Sequence, residues 1–266
     1  MHLIRRGIEV EPTLFLTIYG GVVSFVFGAV FGSFINCLAW RIVHGESVLK
    51  GRSHCAVCGH PLSAADLVPI FSYLFLKGRC RYCHKKISPR YMIAELILAC
   101  AFTGVYLRYG ISILTIRYMI LSCILLGLSL TDLDTFEIPN GFIAAGIVLW
   151  AVTLPFTGEK IKDQLISGLL GGAVIAGALL LLSLLFDRAT GKEGLGGGDI
   201  KLFFMVGLFT GPVTGLFNLI LSCIVGLIFA VIRREHRIPF GPAISIATWI
   251  SILFGQAVTG WYLNLF

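Results

Sequence analysis

Apolar runs long enough to cross a hydrocarbon core recur along this chain and leave few folds open to it. A spanning helix needs about 20 mostly apolar residues, within a range of about 17–25. Backbone N–H and C=O groups find no water in lipid, so such runs are expected to be helices. Residues 14–38, 92–107, 111–131, 142–156, 165–186, 213–232 and 243–263 meet or approach the requirement. Residues 202–210 are too short to span alone unless their helix begins before Asp199. Counting them gives about eight transmembrane helices, and omitting them gives seven. The expected fold class is an all-α polytopic membrane protein.

Composition agrees. The 266 residues are 57% hydrophobic and 13% charged, against about 25% charged in soluble domains. A formal net charge of +7 does not imply a nucleic-acid partner, because no basic stripe is interleaved with aromatic residues. Basic residues instead gather in cytoplasmic loops of membrane proteins. The segment after the first run carries Arg41, Lys50, Arg52, Lys77, Arg79, Arg81, Lys85, Lys86 and Arg90, and residues 188–192 and 233–237 carry more. With eight helices all three loops share one side, read as the cytoplasm. Arg5 and Arg6 ahead of the first run resemble a signal peptide. That run is long and lacks a small-residue cleavage site, so it is read as a retained helix.

Cysteine usage divides in two. Cys37, Cys100, Cys123 and Cys223 stand singly in apolar runs, where a thiol is an ordinary packing residue. Cys55, Cys58, Cys80 and Cys83 form two C-x-x-C pairs in one polar segment. Each pair can wrap one edge of a metal, and four thiolates satisfy tetrahedral Zn2+. A reducing cytoplasm disfavours disulfides as the alternative. His54, His60 and His84 flank the pairs, but four cysteines leave them no vacancy. Such a closed site is structural: it folds a small loop domain between helices 1 and 2, and chemistry is sought elsewhere.

The chemistry is expected at acids. Asp199 follows three glycines in G-L-G-G-G-D-I-K and precedes an apolar run, while Asp132 closes another run in T-D-L-D-T-F-E-I-P-N. Acids beside lipid are costly and point to function. Two carboxyls brought together share a single proton, which suits one to activate water and the other to protonate an amide. Asp134 rivals Asp132, and spacing does not choose between them. Each acid also has a plain structural reading, Asp132 meeting another helix's N-terminus and Asp199 serving as an N-cap. A transporter or assembly factor with proton-relay acids and a structural zinc loop is the rival function, and it expects acids near mid-membrane and inverted repeats. The residue 187–198 loop suits a mobile connector. G-x-x-x-G spacings at Gly28/Gly32 and Gly168/Gly172 permit close helix contact.

Taken in order, these motifs resemble the type IV prepilin peptidase family, bifunctional leader peptidases and N-methyltransferases of type IV pilus and type II secretion systems. The resemblance runs from Gly32-Ser33-Phe34-Ile35-Asn36 through the cysteine pairs, Ser88-Pro89-Arg90-Tyr91 with Glu95, the D-x-D-x-x-x-I-P segment and residues 191–201 to Ile238-Pro239-Phe240-Gly241-Pro242. It implies a membrane aspartyl protease in which Asp132 and Asp199 are the catalytic pair. Implied too are prepilin or pseudopilin substrates, S-adenosyl-L-methionine as methyl donor, and a bacterial inner membrane with zinc loop and acids on the cytoplasmic side. Residues 14–40 are then the first helix, 41–91 the zinc-binding, methyltransferase-associated segment, and 92–266 the protease core. Ser53-His54 stand where a proline often precedes the first cysteine pair. Glu95 is a methyltransferase-site candidate, or an interfacial acid paired with Arg90 or Arg41. Asn36 is a helix–helix hydrogen-bonding group or a wall of the methyl-donor pocket, and Arg90 joins the same candidate group.

Overall fold

A computed structural model of the chain describes residues 4–47, 51–158, 160–191, 194–233 and 238–264. Lys50, Lys192, Arg234 and Arg237, counted above among the basic loop residues, lie outside these, as does Glu193. In chain order the helices are α1 (Ile4–Val43), α2 (Phe71–Phe75), α3 (Arg90–Tyr109), α4 (Ile113–Thr135), α5 (Asn140–Thr153), α6 (Ile161–Thr190), α7 (Gly197–Arg233), α8 (Gly241–Ile250) and α9 (Gln256–Leu263). Among the described residues there is no strand, only isolated bridges at His54/Pro61 and Arg79/Lys86.

Among the described residues, six helices are long and apolar enough to cross a membrane: Leu14–Val43, Arg90–Tyr109, Ile113–Thr135, Ile161–Thr190, Gly197–Ile232 and Gly241–Leu263. Asn140–Phe156 is a shorter apolar helix. The chain is therefore an all-α multi-pass protein, and each expected run falls on helix. Two of those runs share α7, which is broken where Gly211 takes φ 70°, ψ −176° ahead of Pro212. Glycine alone enters that region freely, and proline cannot supply the missing backbone donor. The first part, 197–210, begins ahead of Asp199, as its expected length required. It still rises only about 21 Å, short of a hydrocarbon core of about 30 Å.

The chain forms two compact units, Met1–Cys123 and Ile124–Phe266. In the first, α1 lies along α3 through its glycine pair. A Cβ on Gly28 would sit 2.5 Å from the Leu98 carbonyl oxygen, and one on Gly32 would sit 2.7 Å from the Glu95 Cα. The second unit repeats the device: a Cβ on Gly172 would meet the Phe204 carbonyl oxygen at 2.8 Å, and one on Gly207 would meet the Gly172 backbone at 2.6 Å. Both G-x-x-x-G spacings are thus backbone-to-backbone contacts, the packing by which helices associate in lipid. Trp150 and Leu154 of the α5 region pack on Leu208 of α7. Large apolar side chains such as Phe27, Leu182 and Ile228 remain exposed, as suits helices solvated by acyl chains.

Candidate active site and metal centre

Asp132 lies in the last turn of α4 and Asp199 in the first turn of α7, within the second unit. Asp132 is 4% exposed, and its Oδ2 accepts a hydrogen bond of 2.8 Å from the Gly241 N–H at the start of α8. Asp199 is half-buried and lies within electrostatic range of the Asp132 carboxylate. The fold brings the two acids together. Asp134, two residues on, is exposed. Asp199 is not an N-cap, since the helix begins at Gly197 and the Asp199 N–H already bonds the Gly196 carbonyl at 3.0 Å. Asp132 does meet another helix's N-terminus, as its plain reading anticipated. Both acids stand at helix ends, whereas a relay transporter would carry them near helix midpoints.

The surroundings explain the local sequence. A Cβ on Gly198 would come 3.2 Å from the Ile138 Cβ, so the third glycine lets the segment after α4 approach the start of α7. None of Gly196, Gly197 and Gly198 has a positive φ; close approach, not unusual backbone, is what they supply. Lys201 Nζ donates to Asn140 Oδ1 at 3.0 Å, tying α7 to the start of α5. The described part of the loop after α6 is held too: Gly194 N–H bonds Asp187 Oδ1 at 2.7 Å and Leu195 N–H bonds Ser183 Oγ at 3.2 Å. Along α8, Ser245 Oγ meets Ser129 Oγ of α4 at 2.8 Å, and Thr248 Oγ1 accepts from Asn218 Nδ2 of α7 at 3.1 Å. These buried bonds hold the helix whose first N–H reaches Asp132. Sequence reading missed Gly241 and this polar face; the G-P after a polar loop, a helix-start signal, was the available clue.

In the first unit, Cys55, Cys58, Cys80 and Cys83 present Sγ atoms all within 4.8 Å of one another. Tetrahedral zinc with Zn–S of about 2.3 Å places sulfurs about 3.8 Å apart, so the cluster fits Zn2+ with slight closure. Each pair sits in a tight knuckle. Cys55 N–H bonds the His60 carbonyl and Gly59 N–H the Cys55 carbonyl; Cys80 N–H bonds the Lys85 carbonyl and His84 N–H the Cys80 carbonyl. Gly59 (φ 70°) and His84 (φ 56°) hold equivalent left-handed positions. Burial raises the Cys55 thiol, but backbone N–H groups of Cys58 and Val57 outweigh it and draw it down to about 7. Cys83 is favoured as thiolate by the Lys85 N–H, yet burial and the neighbouring sulfurs push it up to about 11. None of the three histidines joins the cluster: the His60 ring lies tilted against Tyr82 with centroids 3.7 Å apart, and His54 lies against Trp40 and Glu46. Asp66 braces the knuckles from one side. It accepts from Ser63 N–H and Oγ, from Arg81 Nε at 2.6 Å and from Tyr82 Oη at 3.0 Å. Burial alone would raise its carboxyl, but these donors hold it well below the usual carboxylate range.

Beside the knuckles lies a cavity of about 360 Å³, walled by the end of α1, the start of α3 and the cysteine segment. Glu95, 7% exposed, lines it. Its carboxylate is bonded not by Arg41 or Arg90 but by the Ile70 N–H, at 2.7 Å to Oε2, and by the Ser33 side chain. Arg41 instead donates to the carbonyls of Ser47 and Gly51, each at 3.3 Å. Asn36 is 3% exposed with its Nδ2 unpaired among the described residues, and it does not line the cavity. Arg90 opens α3, also outside the cavity lining.

Two family profiles match the chain, the bacterial Peptidase A24 N-terminal domain over residues 26–109 and the type IV leader peptidase family over residues 119–231. A prepilin leader peptidase/N-methyltransferase of Aeromonas hydrophila is 36% identical over 234 residues, covering 83% of this chain and 77% of that protein. The one of Bacillus subtilis (strain 168) is 31% identical over 250 residues, covering 91% and 98%. A type 4 prepilin-like proteins leader peptide-processing enzyme of Escherichia coli O78:H11 is 36% identical over 264 residues, covering 89% and 94%. No solved structure matches.

Proposed function

The chain belongs to the type IV leader peptidase family, and from that premise we propose that it removes the basic leader of type IV prepilins or pseudopilins and N-methylates the residue thereby uncovered. Asp132 and Asp199 are the hydrolytic pair. One carboxylate takes a proton from water as the water oxygen bonds the scissile carbonyl carbon. The other, entering protonated, gives its proton to the amide nitrogen as the C–N bond breaks. The pair ends as it began, holding one proton, and titrates as a unit. Gly241 ties down one oxygen of Asp132 and leaves the other for water. The observation that carries this reading is the approach of the two acids from different helices, one buried and hydrogen-bonded, the other in its field.

Zinc, held by Cys55, Cys58, Cys80 and Cys83, is structural, since four thiolates leave no coordination site for water. S-adenosyl-L-methionine fits the adjoining cavity, whose volume is that of a small-molecule site and whose wall includes Trp40, Tyr73 and Glu95; when bound it supplies the methyl group. Asn36 and Arg90 belong to the same methyl-transfer neighbourhood, with Asn36 on α1 and Arg90 ahead of Glu95 on α3. We divide the work among a first helix (14–40), the zinc-binding segment (41–91) and the protease core (92–266), with Glu95 lent to methyl transfer from the start of the core. The asymmetry of Lys and Arg among the loops assigns the zinc segment and both acids to the cytoplasmic face of a bacterial inner membrane. Mass spectrometry of a prepilin incubated with the enzyme, with and without S-adenosylmethionine, tests both activities. The expected product has lost its leader in both samples and gained a methyl group only with the donor. An intact prepilin would refute the reading.

A further inference from the structure

Glu95 is a buried carboxylate with no counter-ion. Among the described residues its carboxylate meets only the Ile70 N–H and the Ser33 side chain, and no Lys, Arg or His forms an ion pair with it. Its backbone has no room to move, because Gly32 of α1 packs directly on its Cα. It lies one to two turns into α3, an apolar helix in which an ionisable side chain points to function.

The group that bonds Glu95 is itself unusual. Ile70 has φ 63° and ψ −55°, and the Phe71 N–H reaches back to the Pro69 carbonyl at 2.6 Å. This is the strained form of the γ-turn, adopted by a β-branched residue that ordinarily avoids positive φ. Such strain persists only where the surroundings over-determine it. The 2.7 Å bond from Ile70 N–H to Oε2 contributes to that here, and it orients the carboxyl group without pairing it to a cation.

Arg41, Arg81, Lys85 and Lys86 also line the cavity, and among the described residues none of them is bonded to Glu95. Arg41 is spent on the carbonyls of Ser47 and Gly51, and Arg81 on Asp66. A cavity of about 360 Å³ with a fixed, unpaired carboxylate in its wall is suited to an organic cation. N-methylation, on the reading of function above, brings two of them together. The α-ammonium of a newly uncovered N-terminus is protonated near neutral pH, and the donor carries its charge on a sulfonium. Two cations repel, and a carboxylate between them offsets that repulsion.

We propose that Glu95 is the counter-ion for the organic cations that methyl transfer brings into this cavity. This rests on the assignment of methyl transfer to the chain, which the wild-type mass spectrum tests separately. The proposal itself is tested by equilibrium binding to the full-length protein in detergent, using two pairs of ligands that differ in charge. One pair is S-adenosylmethionine and its neutral thioether product S-adenosylhomocysteine. The other is a peptide with a free N-terminal phenylalanine and the same peptide acetylated. In Glu95→Gln the charged member of at least one pair weakens by about tenfold or more, while its neutral counterpart is unchanged. Whichever pair responds identifies the cation held. Glu95→Asp keeps a preference for charged ligands at reduced affinity, and retained zinc content verifies folding of both variants. Equal losses for charged and neutral ligands would reduce Glu95 to a packing role, and no loss in either pair would also overturn the proposal.

Discussion

The Gly241 N–H and the Asp132 carboxylate meet across 2.8 Å although they lie 109 residues apart. The contact requires glycine: a Cβ at position 241 would stand 2.7 Å from Asp132 Oδ2, inside van der Waals contact. Gly241→Ala must push the carboxylate, α8, or both aside. Leader cleavage should fall on the order of 100-fold, the cost of misplacing a reacting group by about an ångström. Zinc content and membrane insertion should be unchanged, because the cysteine cluster lies in the other compact unit. Initial rates of prepilin cleavage in detergent, with zinc measured on the same preparation, check this.

The division between what the sequence showed and what it hid follows from range. Helices were legible because lipid leaves an apolar run one solution, and the cysteine pairs were legible because metal geometry fixes local spacing. Asp132 and Asp134 were not separable by position. They stand two residues apart on one helix, and tertiary packing, including the start of α8 against Asp132, buries the first and leaves the second exposed. Glu95 was likewise open between an ion pair and a site, since its partner is the N–H of Ile70 in a turn that isoleucine does not favour. Backbone donors carry no side-chain signal. The partners of both carboxylates were therefore hidden, whereas the carboxylates themselves were not.

Zinc removal should separate the two units. Cys80 is 3% exposed, the most enclosed of the four ligands, so Cys80→Ser should lower bound zinc below one ion per chain and open residues 51–89 to protease. Chelation of the wild type should give the same digestion pattern, because structural zinc energy is folding energy. N-methylation should be lost with the cavity wall, and cleavage should suffer less. Metal analysis, limited proteolysis and product mass check the three outcomes. Chelated protein whose cysteine segment stays resistant would contradict a structural metal.

Asp66 gives a pH signature. Its folded carboxyl is held below the ordinary value of about 3.9, so its contribution is fully present above that value and is lost as pH falls through the folded one. The protease resistance that wild type holds over Asp66→Asn should thus be constant between about pH 7 and pH 5, above that value. It should decline only in more acid solution. A decline centred near pH 6 would assign the effect to another group.

The most direct measurement is the intact mass of one prepilin after incubation with four proteins: wild type, Asp132→Asn, Asp199→Asn and Asp134→Asn. Each preparation is first verified to be folded by a single monodisperse peak in detergent, because zinc content reports only on the other compact unit. Wild type and Asp134→Asn should remove the leader, and the other two should leave the prepilin at full mass. Leader removal at a wild-type rate by either Asp132→Asn or Asp199→Asn would contradict the pairing of these acids as the hydrolytic site.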